Sequence, residues 1–447
     1  MEAINAILHE ISGFVWGAPL LVLLVGTGIF LTFKLRLLQV RRLITGFRTT
    51  FSKAKQADEV EGDISHFEAL MTALAATIGT GNIVGVSTAV VAGGPGAIFW
   101  MWMSAFFGMA TKYAEAILAV RFREKKSNDA MAGGPMYYIQ NGMGIKWLAK
   151  LFALFGAVAA FGIGNMVQSN SITMAITSNI NVPGYYVGIA LMILTAGVIL
   201  GGIKSIGKAA GILVPFMAVG YIISGLVIIL YHLNEIPGVI AFIIQDAFTG
   251  QAVAGGAIGT VMRYGVARGV FSNEAGLGSA PIAAAAAKTD MPGRQALVSM
   301  LGTFIDTIMV CSITGIVVVM SGLWKDGVRN GVNLTGDAFA AFLPGYGDKI
   351  VVVGLIFFAF STILGWCYYG EKCFEYLVGE KIVKPYRVAY AIAVFVGSIS
   401  SLSFVWNLAD VFNGLMAVPN LIALIALHKV IVSESNLFEE KLDEEKL

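Results

Sequence analysis

Two short polar stretches interrupt apolar segments that are long enough to cross a membrane. The first, Ile78-Gly79-Thr80-Gly81-Asn82, lies within the apolar run 64–91, and the second, residues 263–279, lies within the run 251–287. Backbone N–H and C=O groups freed at bilayer depth must find partners in protein, water or ligand. The N-terminus of a half-helix favours a carboxylate, and the opposing carbonyls favour a cation or an ammonium group. A zwitterionic amino acid matches both, whereas a helix kink or a small-residue packing seam is the alternative for the first break.

Further residues could complete such a site. Ser361-Thr362 could supply hydroxyl ligands to sodium, a hard cation that prefers oxygen, although such a pair in a membrane helix often bonds its own backbone instead. Gln168 lies in another apolar segment, where it could cover the substrate or join neighbouring helices. Phe271 and Trp366 are candidates for pocket walls or for core packing.

Charged residues within apolar segments are costly and are functional candidates by default. They are Lys112, Glu115, Arg263, Arg268, Glu274, Asp306 and Asp410. Lys112 and Glu115 lie three residues apart on one helix and are expected to pair. Arg268 and Glu274 flank the second break, where they could bridge a gate or form a structural pair, and a buried Glu274 could serve proton coupling. Asn82 and Asn273 are candidates for a second cation site.

The composition is that of a membrane protein. Of 447 residues, 57% are hydrophobic and 13% are charged, against roughly 25% charged in an average soluble domain. A formal net charge of +2 indicates neither a nucleic-acid partner nor an anionic substrate. The sequence has no Walker motif, which argues against a nucleotide, and it has no evident set of nucleophile, base and metal ligands, so an enzyme is not expected.

Apolar runs of about 20 residues predict an all-α fold with eleven membrane-spanning helices. They are 11–33, 64–91, 96–120, 147–180, 184–202, 207–231, 251–287, 295–323, 346–376, 386–399 and 403–431. Residues 237–249 and 335–343 are too short to span and are expected to form surface helices. Lys and Arg collect in every second loop, beginning with the loop after the first span, which puts the N-terminus outside and the C-terminus in the cytoplasm. The last residues, 439–447, are expected to be solvated or frayed.

The spans divide into one isolated helix, 11–33, and two sets of five. The sets are 64–231 and 251–431, followed by a tail at 432–447, and each set begins with a glycine-interrupted helix. Because the second set starts on the opposite side of the membrane, the two would form an inverted repeat. This arrangement favours a secondary transporter over a channel, which would need a continuous polar pore.

Several stretches resemble the alanine or glycine:cation symporter family of the amino acid–polyamine–organocation superfamily. The longest is Arg-Gly-Val-Phe-Ser-Asn-Glu-Ala-Gly-Leu-Gly-Ser-Ala-Pro-Ile-Ala at 268–283, and residues 76–85 and 132–139 also match. The resemblance extends over nearly the whole chain and implies a LeuT-like fold in the cell membrane. It also implies Na⁺-coupled uptake of alanine or glycine, with proton coupling as the alternative. The oligomeric state is left open.

The resemblance also implies which residues bind each ligand. The amides of Thr80 and Gly81 would bind the substrate carboxylate, and the carbonyls of Thr77, Phe271 and Ser272 would receive its ammonium group. The full set of candidate substrate residues is Thr77, Gly79, Thr80, Gly81, Asn82, Gln168, Phe271, Ser272, Asn273, Gly276 and Trp366. The candidate sodium ligands are the carbonyls of Ala75, Ile78 and Phe358 and the hydroxyls of Ser361 and Thr362. Residues 147–180 contain no tyrosine, in contrast to LeuT-like transporters that grip the carboxylate with one.

Overall fold

Helices dominate the computed structural model, which describes residues 2–51, 61–127, 129–248, 257–400 and 403–444. The helices of the first half are α1 (Glu2–Val15), α2 (Ala18–Lys34), α3 (Leu38–Arg41), α4 (Leu43–Phe51), α5 (His66–Thr77), α6 (Val86–Gly93), α7 (Ala97–Arg121), α8 (Pro135–Met143), α9 (Lys146–Phe161), α10 (Val167–Asn179), α11 (Gly184–Ile199) and α12 (Gly202–Tyr231). Those of the second half are α13 (Ile236–Phe248), α14 (Ala257–Asn273), α15 (Ala280–Ala284), α16 (Pro292–Thr303), α17 (Ser312–Ser321), α18 (Gly331–Phe342), α19 (Gly347–Val378), α20 (Val383–Ile399), α21 (Ser403–Ala426) and α22 (His428–Glu444).

Shorter elements connect or interrupt these helices. An antiparallel hairpin between α7 and α8 pairs β1 (Glu124–Lys125) with β2 (Met131–Ala132). Three π-helical turns occur in the described residues, at Gly81–Gly85 before α6, at Gly162–Met166 between α9 and α10, and at Phe304–Cys311 between α16 and α17. Short 3₁₀ turns occupy Leu323–Asp326 and Glu380–Ile382. Because π turns are frequent at functional sites, these three turns are candidates for positions beside a site.

Eight membrane spans are recognisable from length and composition in the described residues. Seven of them are Asn5–Lys34, Lys146–Asn179, Gly202–Tyr231, Pro292–Ser321, Gly347–Val378, Glu380–Ile399 and Val405–Ala426. The eighth combines α5 with Gly81–Gly93, which are bent by 51° at the first break. The predicted spans 96–120, 184–202 and 251–287 coincide with α7, α11 and α14–α15, which are not among these eight, and residues 251–256 lie outside the described part. The all-α membrane fold is confirmed, and the count of eleven spans stays a prediction.

The half-helix before the first break, α5, has a defined start and a defined end. α5 begins with a capping box, in which the Ser65 hydroxyl accepts from the Glu68 amide and the Glu68 carboxylate accepts from the Ser65 amide at 2.9 Å. Such a box satisfies two amides at a helix start. At the other end, Ile78 is extended (φ −73°, ψ 96°), so the helical direction is lost just before the glycines.

The second break uses three residues with left-handed backbones. Glu274, Gly276 and Gly278 have φ values of +57°, +89° and +84°. Glycine accepts this region at little cost, but glutamate rarely does. A non-glycine residue held there indicates that its side chain is fixed by strong contacts, and the contacts of Glu274 bear this out.

The end of the chain forms a docked helix, so the predicted frayed end is wrong as far as the structure describes it. The predicted last span, 403–431, is divided by a turn at Leu427 between α21 and α22. The Phe438 side chain is 1% exposed, and Lys441 Nζ lies 3.1 Å from Asp290 Oδ2. α22 packs with one apolar face against α16 and α7, and this burial holds it in place.

α13 and α18 form at the positions predicted for surface helices. The Asp246 carboxylate of α13 accepts from the Gly96 amide at 2.7 Å. The Thr335 hydroxyl of α18 donates to the Ile83 carbonyl at 3.0 Å. Both helices therefore pack over the segment that follows the first break, and α18 buries part of its surface there.

Candidate functional site

The first break leaves two backbone amides without an acceptor among the described residues. The Gly79 amide donates to Asn82 Oδ1 at 2.9 Å, and the Asn82 amide donates to the Gly79 carbonyl at 3.3 Å. These bonds hold the turn and leave the Thr80 and Gly81 amides unpaired at the start of the second half-helix. Unpaired N–H groups at such an N-terminus form a preformed anion site.

The second break supplies carbonyls where the first supplies amides. The Ala275 amide donates to Asn273 Oδ1 at 2.9 Å, so it does not continue the ladder of α14. Carbonyls in the last turn, including those of Phe271 and Ser272, lose helical partners in this way. A Cβ on Gly81 would lie 3.2 Å from Ser272 Cα. The two breaks are therefore in contact, so amides that favour an anion lie beside carbonyls that favour a cation.

A cavity with about 290 Å³ of empty space lies at this contact. The predicted substrate residues that line it are Thr77, Gly79, Thr80, Gly81, Gln168, Phe271 and Trp366. Thr362 of the predicted sodium set and Glu274 also line it, and so do three residues that were not predicted, Ala76, Ile163 and Asn413. A signal for Asn413 exists in the sequence, because Asn407, Asp410 and Asn413 recur every third residue in the otherwise apolar α21.

Gln168 brings an unpaired buried acceptor to this cavity. Its Nε2 donates to the Ile163 carbonyl at 3.0 Å and to the Thr80 hydroxyl at 3.3 Å. Its Oε1 is buried and has no partner among the described residues. A buried polar atom left in this way costs about 1–3 kcal/mol. A ligand that donates a hydrogen bond, such as an ammonium group, would remove that cost.

Trp366 is a fixed wall of the cavity. Its Nε1 donates to Glu274 Oε1 at 2.9 Å, and the Ser279 hydroxyl donates to the other Glu274 oxygen. A Cβ on Gly164 would lie 2.3 Å from Trp366 Cβ, so the tryptophan packs directly on the backbone of the π turn. The glutamate in its left-handed conformation thus orients the indole over the site.

Two charge pairs predicted from the sequence do not form in the described residues. Arg268 makes no ion pair with Glu274, and its guanidinium lies 5.6 Å from the Phe271 ring centroid. Lys112 makes no ion pair with Glu115. One Glu115 oxygen instead accepts from a backbone amide of the second break at 3.1 Å. The same Glu115 oxygen accepts from Asn420 Nδ2 of α21 at 2.6 Å, so both carboxylates are bound by uncharged donors.

Three predicted substrate residues lie beside the cavity in a buried network around Asp306. Asn82 Nδ2 donates to Asp306 Oδ1 at 2.7 Å, and Ser272 Oγ donates to Asp306 Oδ2 at 2.9 Å. Asn273 Nδ2 donates to Thr307 Oγ1 at 3.0 Å. The network joins both breaks to the π turn between α16 and α17 and does not line the cavity.

Gly276 lies away from the cavity. Its carbonyl accepts from Asn420 Nδ2 at 2.9 Å, and a Cβ at this position would lie 2.7 Å from the Leu24 side chain of α2. The glycine is required by its positive φ and by this close approach.

The five oxygens predicted to bind sodium converge. The Ser361 hydroxyl lies 3.3 Å from the Ala75 carbonyl oxygen and 2.9 Å from that of Phe358. The Thr362 hydroxyl lies 3.3 Å from the Ile78 carbonyl oxygen and 2.9 Å from that of Phe358. Oxygens held at about 2.4 Å from a hard cation are about 3.4 Å apart in an octahedral shell. The two 3.3 Å distances across to α5 and Ile78 are close to that spacing, whereas the two 2.9 Å distances are hydrogen bonds of both hydroxyls to their own helix, as the alternative interpretation predicts.

Comparison with known proteins identifies both a family and a fold. The model of the sodium:alanine symporter family matches residues 1–447. The sodium/alanine symporter AgcS of Methanococcus maripaludis is 58% identical over 442 residues, which covers 97% of each chain. The amino-acid carrier protein AlsT of Bacillus subtilis is 37% identical over 427 residues, or 95% of this chain and 90% of AlsT. The crystal structure of MhsT in complex with L-phenylalanine aligns with a TM-score of 0.60 at 18% identity, covering 84% of this chain and 93% of MhsT, and shows the LeuT-like fold.

Proposed function

The chain belongs to the sodium:alanine symporter family, and on that premise we propose that it couples inward movement of Na⁺ to uptake of alanine or glycine. One observation carries the proposal. The Thr80 and Gly81 amides and Gln168 Oε1 have no hydrogen-bond partner in the described part of the chain, and all three residues line one small cavity. Unpaired donors and an unpaired acceptor match the carboxylate and the ammonium group of a zwitterion.

In the proposed complex, the substrate carboxylate binds the two amides of the first break. The ammonium group binds Gln168 Oε1 and the carbonyls at the breaks. The cavity is small, with about 290 Å³ of empty space that includes the part open to solvent. The side walls are Phe271 and Trp366, and Trp366 is held by Glu274, so a methyl side chain fits where a longer chain would overlap.

Sodium is the proposed coupling ion. The Ser361 and Thr362 hydroxyls lie beside three backbone carbonyls and with them supply five neutral oxygens, the ligand type that a hard cation prefers. Thr362 belongs to this set and also lines the substrate cavity. Ion binding between α5 and α19 would therefore stabilise the wall of the cavity that Thr362 forms. Access to the cavity would alternate between the two faces of the membrane.

The chain is a multi-pass membrane protein, and we propose an orientation with the N-terminus outside. Short loops rich in Lys and Arg stay in the cytoplasm. The loop after the first span carries Lys34, Arg36, Arg41, Arg42 and Arg48. α22 would then lie on the cytoplasmic side.

Uptake of labelled alanine by proteoliposomes tests the proposal. The purified protein is exposed to an inward Na⁺ gradient and, in a separate arm, to a proton gradient without Na⁺. Accumulation that requires Na⁺ and is competed by glycine is the expected result. Accumulation driven by protons alone would move the coupling role to Glu274, which lines the cavity, and no accumulation in either arm would contradict the substrate assignment.

Two variants separate the ion site from the substrate site. Thr362→Ala should raise the Na⁺ concentration for half-maximal uptake far more than it changes the alanine requirement. Gln168→Leu should weaken alanine binding by roughly 10–100-fold, because a hydrogen bond to a charged group contributes about 1.5–3 kcal/mol, and should leave the Na⁺ requirement nearly unchanged. The reverse pattern, or equal effects of both variants on both ligands, would contradict the assignment.

A further inference from the structure

The two interrupted segments meet a second time, away from the transport cavity. The first segment begins with residues 61–65, just before α5, and the second ends with residues 285–288, just after α15. Ile64 and Ala287 form an isolated parallel β-bridge, and they are 2% and 0% exposed. This contact lies on the side of the membrane that the charge pattern assigns to the cytoplasm.

Backbone groups of the two segments satisfy each other at this contact. The last carbonyls of a helix have no partners within the helix. Here the Ala286 carbonyl, which follows α15, accepts from the amides of Asp63 at 2.8 Å and Ile64 at 3.2 Å. The Lys288 amide donates back to the Ile64 carbonyl at 2.7 Å. Gly62 allows this approach, because a Cβ there would lie 2.4 Å from Lys288 Cα.

Arg123 bonds to both segments at once. It lies just after α7, and its Nη1 donates to the Ala285 carbonyl at 3.2 Å and to the Ala287 carbonyl at 2.7 Å. Its Nη2 donates to the Glu61 carbonyl at 2.9 Å. A planar guanidinium carries five donors in a fixed fork, which a lysine ammonium does not reproduce. One side chain therefore holds three carbonyls of two segments that are distant in sequence.

The hydrogen bonds at the start of α5 are directed to one side of that helix. His66 Nδ1 lies 2.6 Å from Gln295 Oε1 of α16, and the bridge joins the preceding residues to the end of the second segment. Toward α12 the contact is apolar, since a Cβ on Gly207 would lie 3.5 Å from Ile64 Cγ2. Apolar contacts have no preferred direction, so this surface of α5 can shift without losing hydrogen bonds.

We propose that Arg123 is a positioning residue that joins α5 to α15, so that both move together when the transport cavity opens to the cytoplasm. The opening then occurs where α5 packs against α12, and not between the two interrupted segments. Movement of α5 alone would break every hydrogen bond of this contact in each transport cycle. The inference rests on the proposed transport function and adds which helices move as one unit.

Hydrogen exchange of the purified full chain tests the contact without any substrate. Arg123→Gln should speed exchange of the bridge amides at least tenfold, on both sides of the contact together. Arg121→Gln is the matched control, because it removes the same charge two positions away, where Arg121 pairs with Glu434 of α22 at 2.9 Å. No change in Arg123→Gln, or an equal change in both variants, would overturn the role of Arg123.

A disulfide between the bridge partners tests whether they stay together during transport. Neighbouring chains in a β-ladder lie about 4.8 Å apart, a separation that a disulfide spans. Ile64→Cys combined with Ala287→Cys should therefore cross-link on mild oxidation, and alanine uptake by proteoliposomes should survive. Arg123→Gln should lower the maximal uptake rate at least tenfold while alanine binding is retained. In that variant the disulfide should restore the rate, and its reduction should remove the gain.

The unmodified protein under the same oxidation is the control, because its three cysteines are buried. Loss of uptake on cross-linking, with alanine binding intact, would overturn the proposal and favour movement of α5 alone. Introduced cysteines that fail to cross-link would contradict the contact itself. No uptake by the unmodified protein would contradict the proposed function, and hydrogen exchange would then decide the role of Arg123.

Discussion

At the scale of single residues, Gly79 lies where the ion set and the substrate cavity meet. A Cβ at this position would lie 2.5 Å from Thr362 Oγ1 and 3.6 Å from Gln168 Oε1. The first distance is shorter than a van der Waals contact allows, so a methyl group would displace the hydroxyl proposed to bind sodium. The absence of a side chain is therefore what lets α5 approach α19 at the break.

Gly79→Ala should raise the Na⁺ concentration for half-maximal alanine uptake by at least tenfold, because the Thr362 hydroxyl must move. Gly85→Ala is the matched control. A Cβ on Gly85 would have no atom within 4 Å, and alanine in a helical segment is about 1 kcal/mol more favourable than glycine. Uptake titrated with Na⁺ in proteoliposomes distinguishes the two variants. Equal Na⁺ requirements in both would contradict the role of Gly79.

Single residues also differ in how readily the sequence predicts their contacts. The Gly-Thr-Gly-Asn stretch is visible because polar and glycine residues stand out in an apolar run. The partnership of Asn82 with Asp306 spans 224 positions, and no local pattern encodes it. The close approach of Gly276 to Leu24 is equally hidden, because no local pattern distinguishes a glycine that lines a cavity from one that packs against a side chain.

At the scale of elements, the sequence predicts helices and breaks better than it predicts how helices dock. The end of the chain is rich in Glu and Lys, which is typical of a solvated segment. Its buried residues Ile431, Ser435, Phe438 and Leu442 are nevertheless spaced by four, three and four, the period of one helical face. That stripe was the available signal for α22. The surface that receives it is assembled from α16 and α7, which are distant in sequence.

The docking of α22 depends mainly on Phe438. A Cβ on Gly293 would lie 2.3 Å from the Phe438 ring, so the ring packs directly on the backbone of α16. Phe438→Ala should destabilise the docked helix by about 3–5 kcal/mol, the usual cost of removing a buried aromatic side chain. Hydrogen exchange across 428–444 should then become faster while the spans stay protected.

Leu437→Ala is the control for this prediction. Leu437 is adjacent to Phe438 on α22 but is 53% exposed, so its truncation removes little packing. Exchange in α22 should stay close to that of the unmodified protein. Equal acceleration by both substitutions would mean that helix propensity, and not docking, protects this segment.

At the scale of the whole molecule, polar groups of the first span hydrogen-bond to α21, the last of the predicted spans. The Ser12 hydroxyl bonds the Asp410 carboxylate, and Trp16 Nε1 donates to the Asp410 carbonyl at 3.1 Å. The sequence indicates that Asp410 is a costly intramembrane charge, but hydropathy cannot show that its partner lies in the first span. Hydropathy and charge bias therefore predict the fold class, whereas the contacts between spans require the assembled structure.

The proximity of the two sites predicts reciprocal coupling. Thr362 belongs to the proposed ion set and lines the substrate cavity, and Gly79 lies against it in the first break, just after α5. If sodium orders this contact, then Na⁺ raises the affinity for alanine, and alanine must raise the affinity for Na⁺ by the same factor. The factor should lie between roughly 5 and 150, the usual range for coupled sites. Thr362→Ala should bring both factors close to one, because the hydroxyl that links the sites is gone.

The measurement is a pair of binding titrations on the detergent-purified protein. Labelled alanine is titrated at several Na⁺ concentrations, with choline replacing Na⁺, and labelled Na⁺ is titrated at several alanine concentrations. Gln168→Leu serves as the comparison, since it weakens alanine binding at the opposite wall while leaving Thr362 in place. Alanine affinity that does not change with Na⁺ would contradict the linkage through Thr362. Proton uptake on alanine binding would then assign the coupling role to Glu274, whose carboxylate holds Trp366 over the same cavity.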